Sequence, residues 1–218
     1  MAKPKEWTLS EKMVHNAERC LCKSDSVMAQ LIHTLGPCPL AKRKFRPFHT
    51  LAISIIGQQL SAKASATIVR RVSEFVPTPF HHNDFLQVSK TSLRKAGVSH
   101  AKVDYLLELS RRVSNGLLRF KDLKAKNDEA VIEILTALPG IGRWTAEMFL
   151  IFGLKRPDIL ALGDAGLQRA ASLLYGVNGD ANFLARVGRA WMPYRSVASW
   201  YLWRHLDIVG QYSSKKVT

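Results

Sequence analysis

Two apolar stretches with helical spacing, Asp128 to Ala137 and Arg143 to Phe152, are separated only by Leu138-Pro139-Gly140-Ile141-Gly142. This segment constrains the chain more than any other. Pro139 stops the first helix, because it lacks an N–H and clashes with the preceding turn. Gly140 and Gly142 are read as positions where the backbone takes conformations closed to other residues. With no side chains there, the turn exposes backbone N–H groups at the N-terminus of the second helix, which is an anion site. Arg143 and Thr145 follow directly, as a charge and a hydroxyl donor. The bland reading is an ordinary connection between two helices, where Pro and Gly are common.

The rest of the chain also reads as helices. Val27, Met28, Leu31, Ile32 and Leu35 give Asp25 to Leu35 a helical face, stopped by Gly36-Pro37. Phe48 to Ile56 is apolar nearly all round, as in a buried helix. Gly57-Gln58-Gln59-Leu60 interrupts it, and Ser61 is the expected N-cap of a helix running to about Phe75. One helix is expected over Asp84 to Ala96. Another follows Ser99, carries Val103, Leu106, Leu107 and Val113, and ends at Asn115-Gly116. Gly163-Asp164 begins a helix ending at Tyr175-Gly176. Two more cover about Asn182 to Ala190 and Pro193 to Ile208. No alternating strand pattern and no fixed-period repeat is present. The expected class is all-α, with about nine or ten helices.

Composition decides the partner. The chain has 218 residues, 47% hydrophobic and 22% charged, which excludes a disordered or fibrous chain. Lys and Arg number 32 against 17 Asp and Glu, a formal net charge of +15. Such a surface calls for a polyanion, and with it the glycine turn reads as a DNA-phosphate site, the helix–hairpin–helix motif. No apolar run reaches the 18 or so residues of a spanning helix. The N-terminus has no apolar leader core and the C-terminus no lipidation motif. An intracellular protein that does not engage a membrane is expected, in cytoplasm or nucleoid if bacterial and in the nucleus if eukaryotic. Cys20, Cys22 and Cys38 are read as small buried hydrophobes rather than, with His33, a zinc site. His81-His82 is read as a solvated loop, Lys42 to Arg46 as surface charge and Lys215-Lys216 as a tail.

Four segments in order, SIIGQQLSAKA, LPGIGRWTAEMF, DILALGDAGLQRA and WMPYRSVASWYLW, span about residues 48 to 206. They resemble the helix–hairpin–helix–GPD superfamily of DNA glycosylases, and within it the 3-methyladenine DNA glycosylase II (alkylbase) branch. The resemblance implies two helical lobes with the active-site cleft between them. Residues 1–47 would pack with the C-terminal lobe, 48–150 would form the helical-barrel lobe with the hairpin, and 151–218 the C-terminal lobe. It implies a monofunctional enzyme that flips alkylated purines of the 3-methyladenine and 7-methylguanine type out of duplex DNA and hydrolyses the N-glycosidic bond in base excision repair.

The same resemblance assigns residues. Spacing alone favours Asp164 as a helix N-cap. Its match to the last residue of the family's GPD motif makes it the catalytic carboxylate, although Leu162-Gly163 stands where the family commonly has Pro or Asp before it. Asp158 is the nearby competitor. Trp144 and Met148 share a helix face and, with Trp203, match positions lining the base pocket, where a π face attracts a cationic alkylated purine. Trp191 and Trp200 are read as core. Gln59, with Gln58 beside it, matches the residue wedged into the duplex, although both also read as plain polar turn residues. Bifunctional relatives carry a Schiff-base Lys where Trp144 stands, so no lyase activity is expected. No Cys follows Cys38, so no iron–sulfur cluster is expected. No cofactor is expected; family hairpins often bind Na⁺ or K⁺ through backbone carbonyls, and the resemblance puts these near Thr136, Leu138 and Ile141. A monomer is expected. The alternative is a non-catalytic binder of damaged or abasic DNA on the same fold.

Overall fold

The structure, a computed structural model, describes residues 8–215, so the ends read above for a leader and a tail lie partly outside it. The described residues contain thirteen α-helices, more than the nine or ten expected, and no strand, as the helical patterning requires. The chain forms two compact units, Phe45–Leu154 and Met1–Lys44 with Lys155–Thr218.

The split unit begins with α1 (Glu11–Ser24) and α2 (Ser26–Leu35). Sequence reading missed α1. It is announced by Ser10, whose hydroxyl accepts the Met13 N–H at 3.2 Å, but it buries only Val14, Ala17 and Leu21. Asp25 caps α2 by accepting the Val27 and Met28 N–H groups at 2.9 and 3.2 Å. Glu18 on α1 accepts the Cys38 N–H and the Tyr201 hydroxyl, both at 2.8 Å. Of the three cysteines only Cys38 is buried, while Cys20 is exposed and Cys22 intermediate, which corrects the reading of all three as core. Among the described residues no group of His, Cys, Asp and Glu stands ready to hold a metal ion.

The continuous unit holds α3 (Pro47–Gly57), α4 (Ala62–Val72), α5 (His82–Gln87), α6 (Lys90–Lys95), α7 (His100–Ser114), the single turn α8 (Phe120–Leu123), α9 (Asp128–Thr136) and α10 (Arg143–Met148). The helix expected over Asp84 to Ala96 is two helices. Ser89 turns its hydroxyl on the Ser92 N–H at 3.0 Å and starts α6 afresh, as a capping serine does against a continuing helix. His82 opens α5 rather than lying in a loop, and its half-buried ring packs edge-on against Phe48. Burial, then His81, lowers its pKa. α10 runs on as a π-helical turn, Phe149–Gly153. A Cβ at Gly153 would stand 2.8 Å from the Phe149 ring, so the glycine lets that ring pack.

The chain then returns to the split unit with α11 (Ala165–Tyr175), α12 (Ala181–Val187) and α13 (Arg195–Lys215), which takes in Lys215. Trp191 is fully buried and donates its indole N–H to Asp25 at 2.8 Å, and the Tyr175 hydroxyl donates to the same carboxylate. Trp200 is only half-buried, so the core reading holds for Trp191 alone. No described helix is long and apolar enough to cross a membrane.

Candidate functional site

The hairpin is built as a close-packed turn. α9 ends at Thr136, and the Ile141 N–H returns to the Leu138 carbonyl at 3.1 Å. Gly140 has φ +75, and a Cβ on it would stand 2.0 Å from the ring of Tyr105 on α7. Both the conformation and the space demand glycine. Gly142 is different. Its φ of −89 and ψ of 174 are ordinary extended backbone, and a Cβ there would meet nothing within 4 Å. The sequence reading of a special conformation at Gly142 is corrected: it is the exposed N-cap of α10, open to whatever approaches the α10 N–H groups from outside.

Two side chains beside the hairpin are committed elsewhere. The Thr145 side chain is buried, and its hydroxyl accepts from the Gln58 amide at 2.9 Å, so it does not serve as an outward hydroxyl donor. The Arg143 guanidinium spans both oxygens of Glu129 at 2.8 and 3.2 Å and reaches Glu147 at 3.1 Å. Hydrogen bonding to Glu129 raises the Arg143 pKa, and the same bond holds Glu129 below the usual carboxylate range. A phosphate at Arg143 therefore competes with two carboxylates.

The turn 57–61 separates its two glutamines. Gln58 is half-buried, and its amide donates to the Gly140 carbonyl at 2.7 Å as well as to Thr145. It is therefore corrected from wedge to a bond between the turn and the hairpin. Gln59 is exposed at the tip with φ +57. Lys102 on α7, which sequence reading passed over, donates to the Ile56 and Gln58 carbonyls at 2.9 and 2.8 Å. Nothing in one sequence marks a lysine as a helix C-cap from a distant helix. Trp144 and Met148, four residues apart on α10, are half-buried and 5% exposed respectively.

In the split unit Asp164 stands before α11. Its Oδ1 accepts the Leu167 N–H at 2.7 Å and the Trp203 indole N–H at 3.1 Å, and the residue is 9% exposed. The turn into it is closed by its own N–H on the Ala161 carbonyl at 3.0 Å and by the Gln168 amide on the Leu162 carbonyl at 2.7 Å. A Cβ at Gly166, which sequence reading did not single out, would come within 2.9 Å of Asp164 Oδ1 and 3.5 Å of the Trp203 ring. An Asp followed two residues later by Gly in a first helical turn is the signal that could have found it. Asp158 is held by Arg195 through bonds of 2.6 and 2.8 Å, a structural ion pair that removes it as a competitor. The Trp203 indole and the N-terminus of α11 both hold the Asp164 side chain in place.

The family model described as HhH-GPD superfamily base excision DNA repair protein matches residues 52–187. An alkylbase DNA glycosidase-like protein of Schizosaccharomyces pombe is 26% identical over 198 residues, 86% of this chain and 92% of that one. The crystal structure of a DNA-3-methyladenine glycosidase from Bacillus halodurans is 41% identical with a TM-score of 0.70, over 86% of this chain and 88% of that one. A 3-methyladenine DNA glycosylase of Schizosaccharomyces pombe, solved in complex with abasic DNA, is 26% identical with a TM-score of 0.77, over 88% and 97%. The all-helical fold is the fold of these glycosylases.

Proposed function

Because the chain belongs to the HhH-GPD superfamily of base excision DNA repair proteins, we propose that it is a monofunctional DNA glycosylase that removes alkylated purines of the 3-methyladenine and 7-methylguanine type from duplex DNA. The observation that carries this reading is Asp164, buried and held by the α11 N-terminus and the Trp203 indole.

The chemistry follows from the substrate. A base is out of reach in the stack and must be flipped. Alkylation at N3 or N7 puts positive charge on the purine, which draws it to an indole face and makes it a good leaving group. The proposed aromatic partners are Trp203, beside Asp164 in the split unit, and, in the continuous unit, Trp144 with Met148 on α10. As the glycosidic bond breaks, the sugar gains oxocarbenium character. A fixed carboxylate at Asp164 stabilises it and orients the water that completes hydrolysis. The exposed end of α10 at Gly142 takes a phosphate, and the net charge of +15 supplies the sequence-independent part of the affinity. The carbonyls of Thr136, Leu138 and Ile141 would be the oxygen donors to Na⁺ or K⁺, whose charge would strengthen that grip. Gln59 fills the space the base leaves. With Trp144 in place of a Schiff-base lysine, the product is an abasic site in an intact strand.

The test is incubation with methylated duplex DNA, with released bases identified by chromatography. The expected result is free methylpurine, strands that break only after alkali, and no covalent complex on borohydride treatment. Borohydride trapping would refute the monofunctional reading. Tight binding of abasic DNA without release of any alkylated base would favour a non-catalytic binder.

A further inference from the structure

The turn that carries Gln59 is held from two sides. α3 ends at Gly57, where the last carbonyls of a helix lack partners within the helix. Lys102 on α7 supplies them: its ammonium donates to the Ile56 carbonyl at 2.9 Å and to the Gln58 carbonyl at 2.8 Å. A cation at this end also meets the negative pole of the α3 dipole. From the other side the Gln58 amide donates to the Gly140 carbonyl at 2.7 Å and to the Thr145 hydroxyl at 2.9 Å. The turn is tight as well, since a Cβ at Gly57 would stand 2.8 Å from the Ser65 hydroxyl. Between these anchors Gln59 takes φ +57, a left-handed conformation that non-glycine residues adopt only when their surroundings impose it. The carbonyl that Lys102 holds, that of Gln58, belongs to the peptide leading directly into Gln59.

We propose that Lys102 and Gln58 are positioning residues that lock Gln59 in its exposed left-handed conformation and join it to the hairpin, so that gripping a phosphate and inserting the wedge are one event. This rests on the reading of Gln59 as the wedge. Lys102 acts through the turn and does not touch the DNA. Its ammonium is spent on two backbone carbonyls rather than offered to phosphates.

The test uses a duplex with one 7-methylguanine beside a 2-aminopurine, whose fluorescence rises as the stack opens, with enzyme in excess. Lys102→Met is expected to slow that rise, and the base release that follows it, by about tenfold, the size of a coupling between contacting residues. Lys102→Arg, which keeps a donor, restores most of the rate. Lys102→Met adds no further loss in a Gln59→Ala background. The affinity for undamaged duplex and its salt dependence stay within about twofold of the parent protein, because no phosphate contact is lost. A loss that persists in full in the Gln59→Ala background, or a salt slope reduced by about one, overturns the proposal. So does an unchanged Lys102→Met when Gln59→Ala slows opening, and in that case the wedge reading survives alone. If Gln59→Ala itself opens the stack at the parent rate, the wedge reading falls and the proposal falls with it. Gln58→Ala, which leaves both Lys102 bonds to backbone carbonyls in place, carries the same test should thermal melting show Lys102→Met unfolded.

Discussion

At the scale of single residues the hairpin glycines separate cleanly. Gly140 combines a φ of +75 with a Tyr105 ring 2.0 Å from where a Cβ would sit, whereas Gly142 has neither constraint. Gly140→Ala is therefore expected to destabilise the fold by about 1–3 kcal/mol, as strain at a special φ with overpacking does. The check is a urea titration. Gly142→Ala is expected to melt like the parent protein and to bind duplex DNA more weakly, by a similar factor for every sequence, because the hairpin end meets backbone only. Anisotropy titrations on unrelated duplexes read this out, and unchanged binding would remove the hairpin from the interface. The two glycines look alike in sequence because the difference lies with Tyr105, on another helix. Asp164 was legible as a cap, which the Leu167 N–H bears out, and the resemblance alone proposes it as the catalytic group. The indole that holds it was legible only as a pocket residue, since the bond to Trp203 joins α13 to the start of α11.

At the scale of elements, periodicity found the long apolar helices and mistook what short polar side chains decide. Ser89 divides a patterned stretch into α5 and α6 because a hydroxyl can spend itself on a cap as easily as leave the helix unbroken. α1 was passed over because its buried face is three small or medium residues. Gln58 and Gln59 are adjacent and chemically identical, yet one bonds the hairpin and the other stands exposed. Only the path of the turn tells them apart. Asp25 shows how much one cap can hold: it starts α2 and receives the Tyr175 hydroxyl and the Trp191 indole. Asp25→Ala is expected to cost about 2–4 kcal/mol, since it removes a cap and strands the buried Trp191 indole and the half-buried Tyr175 hydroxyl. A shift of the denaturation midpoint below what a surface cap alone loses, about 1 kcal/mol, would contradict that role.

At the scale of the whole molecule, stability and activity answer to different charges. In the split unit the buried Cys38 and Tyr201 and the half-buried Tyr175 resist losing a proton. Burial pushes the Cys38 thiol from 9.0 up to about 12. Burial, and then the carboxylates of Asp25 and Glu18, raise Tyr175 and Tyr201 above their usual 10.0. A group whose folded pKa is raised contributes stability that is complete below its unfolded pKa and is lost as pH climbs towards the folded one. Urea midpoints are therefore expected to hold up to about pH 9 and to fall steadily above it. Tyr201→Phe should start lower at neutral pH and fall less steeply. A parent midpoint that stays level to pH 11 would contradict this account. The proposed function makes activity depend on Asp164, and its most direct measurement is the single-turnover release of methylpurine by Asp164→Asn. Asn keeps the cap on α11 at almost no cost, so melting and DNA affinity should match or exceed those of the parent protein. Release should fall by about 10²-fold or more, the range of a positioned acid–base group. An Asp164→Asn protein that releases methylpurine at the parent rate would contradict the assignment of Asp164 as the catalytic carboxylate.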